Sequence, residues 1–193
     1  NVLSKTFYVN LEVVVGKNTM GSSSISSIDD DALDLVVDRA IKIARVSTPD
    51  PDFKSYVKPR VFKPLPEAYC KKTAETTPED RASAVKIVVD TATDYDKRVK
   101  WSAGSIETGI VQYAIANSNG VEAETSKTGA IIEVNTKAGD DDVEGSGFAT
   151  KYSHDVSEFN YVEIAKSTAR DAVNSIKPQL LPIGDYEAIF SSS

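Results

Sequence analysis

The sequence predicts an α+β fold, a mostly antiparallel sheet with about three helices packed on it. Three observations lead there. Strand-like runs come in pairs around turn residues, helical stripes follow recognisable caps, and the two kinds of element are grouped rather than regularly alternating.

Over residues 7–15 the apolar side chains alternate with Tyr8, Asn10 and Glu12, the period of a strand with one buried face. Gly16 and Asn18 suit a turn, and Ile25 within the polar stretch 21–27 marks a returning strand, which makes a hairpin. Ser27 and Asp30 have capping-box spacing, with Asp in place of Glu, and the acidic cluster opposes the positive end of a helix dipole. Leu33, Val36, Val37, Ala40, Ile41 and Ala44 then trace the inward side of a helix.

Prolines at 49, 51, 59, 64 and 66 deny regular hydrogen bonding to residues 47–76, which read as an ordered surface crossing. A second helix opens with Thr77 as N-cap, Pro78 in the first turn and Asp80 at the box position, and continues through Ala84, Val85, Ile87, Val88 and Ala92. Residues 99–116 are rich in β-branched and aromatic side chains, and Asn117, Ser118, Asn119 and Gly120 supply a hairpin turn into a return strand over 121–136. An acidic, glycine-containing turn over 138–147 leads to a strand through Phe148 and Tyr152. Asn160 with Glu163 forms a further capping box. Ile164, Ala165, Ala169, Ala172, Val173 and Ile176 make a third helical stripe, which Pro178 ends. Gly184 releases the chain into a short strand over 185–190. The 193 residues suit a single domain, and no internal repeat is visible.

Composition narrows the function. Hydrophobic residues at 40% and charged residues at 26% belong to a chain that folds, and a formal net charge of -7 opposes nucleic-acid binding, which needs concentrated Lys and Arg. No apolar run reaches the roughly 20 residues of a membrane helix, so the expectation is a soluble protein without a membrane role. Cys70 is the only cysteine, so no internal disulfide forms and a cytoplasmic location fits.

No residue in the chain assembles a self-contained active site, and the expected set of catalytic, cofactor-binding and metal-binding residues is none. His154 and Asp155 are adjacent in a strand-like segment, where neighbouring side chains point to opposite faces, so the pair suits a strand end better than a general base with its orienting carboxylate. The single histidine excludes a histidine-based zinc site. Asp140, Asp141, Asp142 and Glu144 lack the alternating spacing and central glycine of an EF-hand calcium loop and read as a solvated turn. Cys70 has no partner histidine nearby in sequence to activate it. Gly104, Gly109 and Gly120 are too far apart for a dinucleotide fingerprint and read as turns and bulges. Trp101 and Tyr113 suit the core beneath the helices better than a peptide-contacting surface.

The run YAIANSNGV from Tyr113 to Val121 resembles the NS-x-G hairpin of the TldD/PmbA family, whose members are also labelled modulators of DNA gyrase. Around it the order is similar as well: Met20 and Gly21 in the first hairpin, Ala32 and Ala40 in the first helix, and the proline-rich crossing. Gly145, Gly147, Ala165, Ala169, Pro182, Gly184 and Tyr186 follow later. The resemblance covers nearly the whole chain and implies the amino-terminal domain of a two-domain subunit. In TldD-like members the carboxy-terminal half carries a HExxxH-type zinc site for peptide hydrolysis. It implies truncation at both ends, no cofactor in this chain, zinc in the missing carboxy-terminal domain, and a homo- or hetero-dimer with a family subunit acting on peptides or unfolded protein. Two alternatives stand beside it. One is the corresponding domain of a metal-free PmbA-like partner with a purely assembly role, and the other is an unrelated small-molecule binding domain. Sequence beyond Ser193 would separate the first two readings.

Overall fold

The computed structural model describes residues 4–63, 65–140 and 143–189. Its backbone contacts gather into two compact units, Asn1–Pro59 with Asn117–Val121, and Arg60–Ala116 with Glu122–Ser193. The sequence reading treats 1–193 as one domain. The division in contacts arises because the first hairpin and helix build a small core of their own.

In the first unit, β1 (Val9–Val15) and β2 (Thr19–Ile25) pair antiparallel, with Val9 opposite Ile25 and Val15 opposite Thr19. Asn18 turns the chain at a φ of 62°, left-handed geometry that asparagine tolerates. The helix α1 (Asp30–Val46) lies on this hairpin and buries Val36, Ala40 and Ala44. Gly21 permits the contact, since a Cβ there would run into the α1 backbone at Ala40 O and Ala44 N. Such close packing narrows the buried face of α1, and Val37, part of the predicted stripe, is exposed.

The helix starts where expected but without the Ser27–Asp30 box. Asp29 is the N-cap and makes no side-chain cap bond. Ser27, two residues before the cap, cannot reach the first-turn amides. Its hydroxyl instead donates to the Asp29 carboxylate at 2.7 Å and accepts the Asp29 N–H at 3.1 Å.

In the second unit a 3-10 turn (Pro66–Ala68) and the four-residue helix α2 (Lys71–Ala74) interrupt the stretch expected to be irregular. The turn begins at Pro66, the last proline of the crossing, where the missing N–H is harmless in a first position, and α2 follows where nothing prevents helical bonding. Pro64 lies outside the described residues. The helix α3 (Pro78–Thr93) carries the full predicted box: Thr77 Oγ1 accepts the Asp80 N–H at 3.1 Å, and the Asp80 carboxylate accepts the Thr77 N–H at 3.0 Å.

β3 (Val99–Ala116), β4 (Glu122–Asp140) and β5 (Val143–Ser153) form an antiparallel sheet in that order. The strands run closer together in sequence than the turn predicted over 138–147 allows. Gly145 and Gly147, expected in that turn, lie inside β5, beneath α4 (Tyr161–Asn174). A Cβ on Gly147 would collide with Thr168 O, and one on Gly145 with Ala172 O. Asn160 caps α4 by accepting the Glu163 N–H at 3.1 Å, one half of the predicted box.

α3 packs on β3, α4 on β4 and β5, and the two helices on each other. Between them lie Val88, Ala92, Ile106, Ile132, Val134, Ala165 and Ala169, all buried. The Thr136 and Thr168 hydroxyls satisfy one another inside this core at 3.0 Å. The strand expected over 185–190 is absent from residues 185–189, which are exposed and have no partner strand among the described residues. Phe190 lies outside them.

Candidate functional site

Two places combine shape with polar groups. The first is the β3–β4 turn, counted with the first unit. Asn117 Oδ1 accepts the N–H groups of Asn119 at 3.0 Å and Val121 at 3.1 Å, which closes the turn from within. The amide Nδ2 of Asn117 donates to Val57 O at 2.9 Å, and that of Asn119 to Tyr56 O at 2.7 Å. These two asparagines therefore hold the proline-rich crossing. Gly120 alone in the tetrapeptide takes positive φ, at 88°. Tyr56 also donates its hydroxyl to Glu12 Oε1 at 3.0 Å, and burial first, then this carboxylate, push the phenol pKa up.

The second is an open cleft of about 520 Å³ in the second unit, between the start of α3 and the loop before α4. Ile106 and Phe159 provide apolar wall, and Lys72 and Arg81 provide positive charge. Arg81 Nη1 is anchored to Thr76 O at 3.0 Å and Thr108 Oγ1 at 3.1 Å, and pairs with no carboxylate among the described residues. Burial pushes the Tyr161 phenol up, so it stays protonated and can donate. Glu75 and Asp80 line the cleft as well, so it carries both signs of charge, and among the described residues it offers no activated nucleophile.

The residues singled out in the sequence scatter, with one exception. His154 is exposed just beyond β5 and contributes its carbonyl, which accepts from Thr128 Oγ1 at 2.8 Å. Thr128 Oγ1 in turn accepts the Cys70 N–H at 2.9 Å. The segments holding Cys70 and His154 thus meet, although 84 positions of chain numbering conceal it. Asp155 does not orient the imidazole. It accepts from Ser157 N at 2.8 Å and Ser157 Oγ at 2.6 Å, and these bonds, with a lesser one from Cys70, hold its carboxyl below the usual range.

Glu144 pairs with Lys137 at 3.4 Å, while Asp141 and Asp142 lie outside the described residues, as does the side chain of Asp140. Among the described residues no three His, Cys, Asp or Glu side chains converge in a way that could hold a metal ion. Gly104 and Gly109 lie in the regular part of β3 rather than at turns or bulges. Gly104 lies close to β4, where an added Cβ would come within 3.1 Å of Glu133 O. Trp101 and Tyr113 are on the surface, 47% and 52% exposed, against the core placement expected. Both lie on the sheet face opposite the helices, which also carries Phe148 and Tyr152.

The profile of the PmbA/TldA metallopeptidase central domain matches residues 71–176, just over half of the chain. The chain belongs to the TldD/PmbA family. Among curated proteins no match is found.

Solved structures agree with the TldD/PmbA fold. A protein from Thermotoga maritima described as a modulator of a DNA gyrase superposes with a TM-score of 0.78 at 17% identity, covering 93% of this chain and 40% of its own. A counterpart from Bacteroides thetaiotaomicron gives 0.76 at 19% identity, with 89% and 40% covered. TldE from Thermococcus kodakarensis gives 0.70 at 14% identity, with 87% and 42% covered. This TldD/PmbA chain thus spans about two-fifths of the length of those proteins. The profile describes a central domain, and its match starts at Lys71, within the second unit. Among the described residues of this family member, no helix is long and apolar enough to cross a membrane.

Proposed function

We propose that this chain is a non-catalytic scaffold and assembly part of a TldD/PmbA-type zinc metallopeptidase that acts on peptides or unfolded protein in the cytoplasm. Family membership carries the reading, through the match of a metallopeptidase central domain to residues 71–176. The residues present here do not fit a hydrolytic zinc ion. Such a site takes three protein ligands and an open position, and one histidine, one cysteine and scattered carboxylates do not converge among the described residues. Zinc and the reacting groups then belong to another part of the parent protein, and a subunit of the same family is the assembly partner.

Elemental analysis and a cleavage assay test this directly. The purified chain should hold far less than one zinc per copy and should leave an unfolded casein substrate intact. Stoichiometric zinc together with cleavage would overturn the proposal. A metal-free partner subunit, as in PmbA-like members, predicts the same result for this chain, and an HExxxH pattern in the parent sequence would decide against it.

A further inference from the structure

The turn between β3 and β4 carries a residue pair with a chemistry of its own. Asn119 is the one asparagine of the chain that is followed by glycine. In such a pair the glycine nitrogen can attack the amide carbon of the asparagine side chain, because no Cβ on the glycine obstructs the approach and its backbone turns freely. Asn119 and Gly120 are both exposed, so water reaches them.

The fold restrains both partners of that attack. The Gly120 N–H donates to Asn117 O at 3.0 Å. Nδ2 of Asn119, the atom that has to leave, donates to Tyr56 O at 2.7 Å and, more distantly, to Val57 O at 3.5 Å. A Cβ added to Gly120 would stand 3.5 Å from Pro59 Cγ, so the pair lies against the proline-rich crossing that these bonds hold. All of these residues belong to the first unit.

We propose that Asn119 is a site of spontaneous deamidation, restrained while the crossing is seated, and that its conversion unfastens the crossing at Tyr56 and Val57. In the first step the Gly120 nitrogen bonds to Asn119 Cγ and gives up its proton, the bond from Cγ to Nδ2 breaks, and ammonia leaves. Water, the only co-reactant, then opens the cyclic imide. Breaking the bond from Cγ to nitrogen gives aspartate, and breaking the bond from the main-chain carbonyl carbon to nitrogen gives isoaspartate. Nothing is oxidised or reduced.

Either product removes the donor. A carboxylate only accepts hydrogen bonds, so in the aspartate form an anion faces the carbonyl oxygens of Tyr56 and Val57, where a donating amide had satisfied them. Isoaspartate in addition lengthens the main chain by one methylene between residues 119 and 120. That extra atom falls within the span over which Asn117 Oδ1 accepts the N–H groups of Asn119 and Val121. The other bond to the crossing, from Asn117 Nδ2 to Val57 O, depends on the same turn. The inference stands apart from the peptidase reading and needs neither zinc nor a partner.

The intact chain is aged in mildly alkaline buffer, folded and, in parallel, unfolded in guanidinium chloride. Conversion is read from the mass gain of an amide-to-acid exchange in the tryptic peptide 101–127 and from methylation by an isoaspartyl methyltransferase. It should fall on Asn119 and run several-fold more slowly in the folded chain. The acidic fraction, separated by anion exchange, should be cut by trypsin after Lys54 several-fold faster than the unconverted chain, with cleavage after Lys86 in α3 unchanged. Asn119→Asp, which installs one product directly, should show the same faster cut with an unchanged circular dichroism spectrum. If Asn119 stays unconverted in the folded chain after the guanidinium control has reacted, the site is overturned. Equal rates in the two states overturn the restraint by the crossing. Conversion that leaves Lys54 cleavage unaltered in the acidic fraction overturns the release, whatever the fold of Asn119→Asp.

Discussion

Glycine carries the tightest geometry in this chain at Gly21, Gly145 and Gly147, and an added methyl group tests it. Gly21 and Gly147 lie where a Cβ would meet helix backbone, which cannot move aside as a side chain could. Overpacking of this kind costs roughly 1–3 kcal/mol and occasionally more, so Gly147→Ala should lower the urea midpoint strongly. Gly109→Ala, in open space on β3, should leave it nearly unchanged. The Thr77 cap gives a second residue-scale prediction: Thr77→Ala should cost about 1 kcal/mol in the same titration. The bonds Asp80 accepts from Thr77, the side chain's first and the backbone's second, hold its carboxyl below the usual range. A carboxyl lowered by folding adds stability that is present above its unfolded pKa and is lost as pH falls through the folded value. The penalty of Asp80→Asn should therefore be visible at neutral pH and fade in acid.

At the scale of elements, the asparagine turn organises a segment that has little regular bonding of its own. Asn119→Ala removes the bond to Tyr56 O and should make trypsin cleavage after Lys54 several-fold faster, with Ser118→Ala as a control that leaves it unchanged. None of this was legible in the sequence, because the partners of Asn117 and Asn119 stand about sixty positions away. What could be read there was local. The period-two alternation of β1, the box at Thr77, the stripe on α4 and the turn residues between β3 and β4 each depend on neighbours within one turn or pair of strands. The failures share a physical origin. Gly145 and Gly147 look like turn residues until a helix is packed over them, Trp101 and Tyr113 look like core until it is known which sheet face the helices cover, and the closing strand lacked a partner that only topology could supply. Cys70 and His154 are brought near each other by Thr128, a residue no motif had marked.

The whole molecule has two cores of unequal size. Among the described residues, the buried apolar side chains of the first unit are Val36, Ala40, Ala44 and Val121, whereas the second unit has a broad layer between sheet and helices. Since apolar burial supplies most of the stabilisation, amides of α1 should lose protection from hydrogen exchange at a lower urea concentration than those of α4. The fluorescence of Trp101, the only tryptophan, should follow the later transition. The acidic balance also bears on the gyrase wording attached to the Thermotoga and Bacteroides proteins, because a charge of -7 gives this chain no long-range attraction to DNA. Counting the turn 117–121 with the first unit has a further consequence for the topology. The polypeptide passes from one unit to the other at Pro59, again at Ala116 and back at Val121, so no single boundary divides them. A gene cut after Pro59 would yield a first piece without the asparagines that fasten it and a second piece presenting them to water. Dissection by expression therefore requires grafting, with the pentapeptide 117–121 transplanted onto the shorter piece.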